Sequence, residues 1–331
     1  MLRSLILTTC MVLPLAAGAQ TPRVITDIAP IESLAAMVMQ GLGTPDRLLA
    51  QGASPHEMAL RPSQARALSQ ADLVFWIGPG LSPQLERQIA TLAPAAQQVS
   101  LDMVEGTHLL PARDTGLFPH DHAAEMHDGD DDHDDHDDHD DHDDHDDHDD
   151  HDDHDDHDDH ADYDPHLWLS PENALVWIEA IAETLAQTDP DNAATYRKNA
   201  AIGAAEITKA RAAAQSRLTP VLNKPLGAGH DAFQYFENSF DLTVLGAITD
   251  SDAVAPGPAR LAALRDGFAQ DAPVCILTEP GTDPRLLDAI GATGMAVAEL
   301  DVLGAGLPKG ADLYPTLIRD LADRIATCAA D

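Results

Sequence analysis

Three histidines occupy places where chemistry is possible: His56 in GASPHE, His166 in DPHLWLSPENA and His230 closing LGAGHDAF. Neutral imidazole nitrogen is a good zinc ligand, at about 2.0 to 2.1 Å. A single histidine beside glycine is more often a hydrogen-bonded loop residue than a ligand. Three at turns between strand-like and helix-like runs, in one acidic chain, argue for a shared ion. A carboxylate or water would complete a tetrahedron: Asp301, at the end of the strand-like MAVAEL, is the positional candidate, and Glu57 is near enough in sequence to His56 to swing in instead.

A second histidine array is denser. His133, His136, His139, His142, His145, His148, His151, His154, His157 and His160 recur every third residue, with two aspartates in every gap. Nothing in this run is apolar, so it cannot be core. Disorder is its default without metal. A polyproline-like chain, three residues per turn, would align the imidazoles along one edge. Neighbouring aspartates favour imidazolium, which must lose its proton to bind zinc. The expectation is several weak sites that gather or buffer zinc and release it as pH falls; the alternative is a solvated spacer.

A three-histidine zinc site with an open position also describes hydrolases. Position 60 is leucine, so His56–Glu57 opens no HExxH helix, and no nucleophile or second acid accompanies the histidines. A binding protein is the better reading.

The elements that must position these residues alternate. RVITDI, RLLAQG and DLVFWIG read as strands, and PIESLAAMVMQGLG, RPSQARALSQA and SPQLERQIATL as helices, the last opened by Ser82 and Pro83. PLGAG, LTVLGAI, VCILTE and MAVAEL repeat the theme with GPARLAALRDGFAQ, DPRLLDAIGA and YPTLIRDLADRIATC between and after them. Such alternation predicts two doubly wound α/β lobes, each a parallel sheet covered on both faces. Between them, Pro190 to Leu218 is alanine-rich with one interior glycine. About 29 residues would make a helix of roughly 44 Å that braces the two lobes along one side; the alternative is a helix packed within one lobe. Ligands of open α/β sheets collect at the carboxyl ends of strands, which sends all three histidines toward one cleft. The expected boundaries are a signal peptide over 1–19, an N-terminal lobe over 20–189 that contains a disordered loop over about 120–161, the linking helix over 190–218 and a C-terminal lobe over 219–331.

Composition narrows the partners. The formal charge of -38 is concentrated, with 21 aspartates between residues 130 and 160, but the remainder is also acidic. Nineteen Lys and Arg do not supply a phosphate-binding surface, so nucleic acid is excluded and a cation is the natural guest. Arg3, the short apolar LILTTCMVLPLAA and AGA before Gln20 read as a secretory signal cut after Ala19. Export leaves Cys275 and Cys328 in an oxidising compartment, where a disulfide is expected and two buried free thiols are the alternative.

GASPHEMALRPSQARALSQADLVFWIG, DPHLWLSPENA, GHDAFQYFE and CILTEPG resemble, in order, the signatures of the periplasmic zinc-binding proteins of bacterial zinc ABC transporters, the ZnuA-like branch of a cluster that also holds manganese receptors and adhesins. The resemblance covers the mature chain. It implies two α/β lobes joined by a long rigid backbone helix with the metal in the interlobe cleft, that His56, His166 and His230 are the histidine ligands, that Zn2+ is the cargo, and that the partner is a membrane permease with a cytoplasmic ATPase, served by a monomer. Manganese-type relatives usually carry glutamate at the third position, so His230 favours zinc. Asp301 falls at the place of their aspartate ligand, with Glu57 or water as alternatives. The Cys275–Cys328 pair matches a disulfide of part of the zinc branch. The insert departs from the family in being an almost pure tripeptide repeat.

Overall fold

The computed structural model describes residues 21–113, 116–118, 163–249 and 255–330. The leader and the HDD repeat lie outside these residues. The first lobe runs β1 (Val24–Thr26), α1 (Ala29–Val38), β2 (Asp46–Arg47), α2 (Pro62–Ser69), β3 (Leu73–Trp76), α3 (Pro83–Leu92) and β4 (Gln97–Ser100). Its strands are all parallel in the order β2-β1-β3-β4. Leu73–Trp76 is buried at every position, as a strand covered on both faces must be.

Two details differ from the sequence expectation. RLLAQG yields only the two-residue β2, because Leu48 and Leu49, still bonded to Thr26 and Asp27, turn into the core before Gly52 takes a positive φ of 75°. The edge strand β4 has the polar sequence QQVS, half exposed, and so carries no apolar signal.

After the insert come α4 (Pro171–Thr188) and α5 (Ala193–Leu218), separated by a 3-10 turn over Pro190–Asn192. Ser170 caps α4, accepting the Asn173 amide at 3.1 Å. At 26 residues, α5 is about 39 Å long. Its buried face, Tyr196, Ala200, Gly203, Ile207, Ala210, Ala214 and Leu218, keeps helical spacing and packs on α1 and α4. The interior glycine is explained by close approach: a Cβ on Gly203 would lie 2.4 Å from the Ile178 methyl and 3.0 Å from the Met37 sulfur.

The second lobe runs β5 (Pro225–His230), α6 (Gln234–Phe240), β6 (Thr243–Thr249), α7 (Pro258–Gln270), β7 (Cys275–Thr278), α8 (Pro284–Ala289), β8 (Ala296–Glu299) and α9 (Leu313–Ala330). The strands are parallel in the order β6-β5-β7-β8, the same winding as in the first lobe. Both sheets therefore change direction of winding beside their first strand, the position where ligands of such sheets gather. Cys275 and Cys328 are disulfide-bonded with 5.8 Å between their Cα atoms, tying β7 to α9.

The lobes are packed together as well as linked. α9 lies on α5 and also reaches α1, and one apolar cluster contains Val24 and Trp168 of the first lobe with Leu226 and Tyr314 of the second. Polar bonds cross the seam: Trp168 Nε1 donates to the Val302 carbonyl at 2.8 Å, the Tyr314 hydroxyl to the Trp168 carbonyl at 2.9 Å, and the Ser33 hydroxyl to the Gly310 carbonyl at 2.8 Å.

Candidate metal centre

His230 is the last residue of β5, beside the winding reversal of the second sheet. His166 precedes a 3-10 turn, Leu167–Leu169, that leads into α4. His56 sits in the irregular stretch between β2 and α2, where its amide donates to the Ser54 hydroxyl at 3.2 Å. Ser82, expected as the cap of α3, instead donates its hydroxyl to the Pro55 carbonyl and so pins the loop that carries His56.

These three turns bring the imidazoles together. Ring centroids lie 4.9 Å apart for His166 and His230, 5.3 Å for His56 and His166, and 5.7 Å for His56 and His230. One ligand atom from each falls within 4.8 Å of the others. His166 and His230 are buried, and His56 is half-buried.

Two carboxylates that the sequence did not single out support the rings. Asp164 Oδ1 lies 2.7 Å from His166 Nδ1 and also accepts the His166 amide at 2.9 Å; Glu279 Oε2 lies 2.6 Å from His230 Nδ1. A carboxylate on one ring nitrogen keeps that nitrogen protonated and turns Nε2 toward the ion, while raising its basicity. Burial pushes the Asp164 carboxyl up to about 6, opposed by the His166 amide and by the positive field of Arg113. Asp164 stands two residues ahead of His166 and could have been suspected. Glu279 lies in CILTEPG, one of the stretches that carry the family resemblance, but it is 49 residues from its partner and nothing local says which ring it meets.

The rings open on an interlobe cleft of about 880 Å³. Asp301 lines the same cleft, its Oδ2 accepting the Gly306 amide at 2.8 Å, and it stands outside the set of mutually close ligand atoms. Glu57 is exposed and does not line the cleft. A tight trio of imidazoles, two of them held by carboxylates, could hold a zinc ion.

Comparison with known proteins agrees with this chemistry. The ZnuA profile, described as zinc-uptake complex component A, periplasmic, matches residues 24–328. The high-affinity zinc uptake system protein ZnuA of Paracoccus denitrificans is 45% identical over 316 residues, covering 95% of this chain and 94% of its own. A crystal structure of ZnuA superposes with a TM-score of 0.69 at 20% identity, over 93% of this chain and 98% of its own. The substrate-binding protein FpvC of Pseudomonas aeruginosa, in complex with Mn2+, superposes with a TM-score of 0.69 at 18% identity, over the same shares. At such identities the two structures speak for the fold alone.

Proposed function

The chain belongs to the ZnuA family of periplasmic zinc-uptake components, and from that premise we propose that it is the zinc-binding receptor of an uptake system. It captures Zn2+ in the periplasm as a monomer, after removal of residues 1–19, and the loaded form docks on an ABC permease whose ATPase works from the cytoplasm. His56, His166 and His230 bind the ion, with Asp301 or water in the fourth position. Zinc is cargo rather than a cofactor, and the protein acts as a receptor rather than an enzyme. The acids touching the imidazoles, Asp164 and Glu279, are engaged in orienting them.

The observation that carries this reading is the meeting of three imidazoles, contributed by both lobes, within 4.8 Å of one another. Capture then consists of an ion bonding to both lobes at once. Zinc titration of the mature protein against a competing chelator tests it. One tight site is expected, weakened by orders of magnitude in His230→Ala. Binding that survives that substitution unchanged removes the proposal. Zinc should also prevail over manganese at equal free concentrations, since three nitrogen donors suit zinc better than an oxygen-preferring ion.

The HDD repeat gathers or buffers zinc and is dispensable for tight binding. Deleting residues 130–160 should abolish only weak sites and leave the tight one. Unchanged total stoichiometry would reduce the repeat to a spacer.

A further inference from the structure

The chain ahead of the insert does more than lead into it. The Leu110 amide donates to the Tyr235 hydroxyl at 3.0 Å, and the Leu110 carbonyl accepts the Asp164 amide at 2.9 Å. Farther on, the Phe118 amide donates to the Leu245 carbonyl at 2.8 Å and the Gly116 carbonyl accepts the Ala247 amide at 3.0 Å, which adds an antiparallel bridge to the edge of β6. This strap therefore leaves the first lobe and fastens to the second.

Arg113 sits between the two anchorages. Its side chain is 17% exposed, and its guanidinium lies 3.7 Å from the centroid of the Phe118 ring. It forks onto two carboxylates of the second lobe: Nε reaches Asp231 Oδ2 at 3.0 Å while Nη2 bonds Asp231 Oδ1, and Nη1 and Nη2 reach Glu237 Oε2 and Oε1 at 3.1 and 2.9 Å. Asp231 follows His230 directly. The strap that carries Arg113 is also paired with Asp164, whose carboxylate orients His166. One buried cation thus ties the support of one ligand to the backbone of another.

We propose that Arg113 is a positioning residue for the metal centre, holding His230 at the separation from His166 that a single ion can bridge. The inference rests on the three-histidine reading given above. Without the guanidinium, no cation links the buried carboxylates of Asp231 and Glu237, and the bonds that fix their separation are gone. Asp231 cannot move without carrying the His230 backbone. Lysine keeps the charge but has one point donor group in place of the planar fork, so it cannot hold both carboxylates in the same geometry.

The test uses the full mature chain carrying Arg113→Ala or Arg113→Lys, with zinc affinity read by chelator competition and ligand geometry by the visible spectrum of Co2+ bound in place of zinc. Both variants should bind zinc about 10- to 100-fold more weakly, the range for losing outer support of a metal site, and both should show altered Co2+ bands. Tyr196→Phe, which removes a buried bond to Asp189 at the start of α5, serves as the structural control. It should lower the melting temperature and leave both readouts as in the wild type. Arg113→Lys keeps a cation against the carboxylates and decides the matter where alanine does not fold. A folded Arg113→Lys with less than about a tenfold loss of affinity, or with wild-type Co2+ bands, overturns the proposal. His230→Ala, measured alongside, separates the two ideas: tight binding there overturns the metal centre itself, whereas binding lost there and kept in Arg113→Lys overturns only the clamp.

Discussion

At the scale of single residues, the metal centre depends on which nitrogen each imidazole presents. Asp164 and Glu279 settle this for His166 and His230 by occupying Nδ1 at 2.7 and 2.6 Å. Charge and geometry make separable contributions at Glu279. Glutamine keeps an oxygen to accept the Nδ1 proton and loses only the charge, while alanine loses both. Glu279→Ala should weaken zinc binding by about 10- to 100-fold and Glu279→Gln by less, as measured by chelator competition. Equal losses in the two variants would mean that the carboxylate acts through its charge alone.

At the scale of elements, the second lobe is closed by a covalent tie. The Cys275–Cys328 bond spans 53 residues and fastens α9 to β7, so the helix that packs against both α5 and α1 is held to its own sheet. In the loop-entropy account a closure of that length limits the unfolded chain by about 4 kcal/mol. The paired Cys275→Ala, Cys328→Ala variant should therefore melt roughly 10 °C lower, and a reductant should lower the wild-type melting temperature without moving that of the variant. Elements also account for what the residue pattern left open. The helix α5 was legible from its alanines and its lack of proline, whereas the reason for Gly203 is the proximity of Ile178 and Met37, which belong to other helices.

At the scale of the whole molecule, the seam between the lobes limits motion. The shared apolar cluster and the bonds of Trp168, Tyr314 and Ser33 across the seam join surfaces that a wide hinge would have to separate. Buried polar groups pulled from their partners cost about 1 to 3 kcal/mol each, and a wide rotation would break these seam bonds together. Capture should then proceed by local adjustment of the loops bearing His56 and Asp301, with the lobes nearly fixed. Small-angle scattering of the protein with and without zinc should show a change in radius of gyration below about 1 Å, as in other pre-organised binding. A larger compaction would point to a true hinge.

The sequence by itself determined the alternation of strands and helices, the long joining helix and the three histidines that meet in the cleft, because each is written in local pattern: apolar periodicity, turn residues at strand ends, donor type. The tertiary structure decided what depends on distance. It placed Glu279 beside His230 from 49 residues away, diverted the Ser82 hydroxyl from its helix to the His56 loop, and set Arg113 across the seam on Asp231 and Glu237. Bonds between residues far apart in the chain exist only after two lobes have packed, and no local pattern encodes which side chains that packing brings within reach.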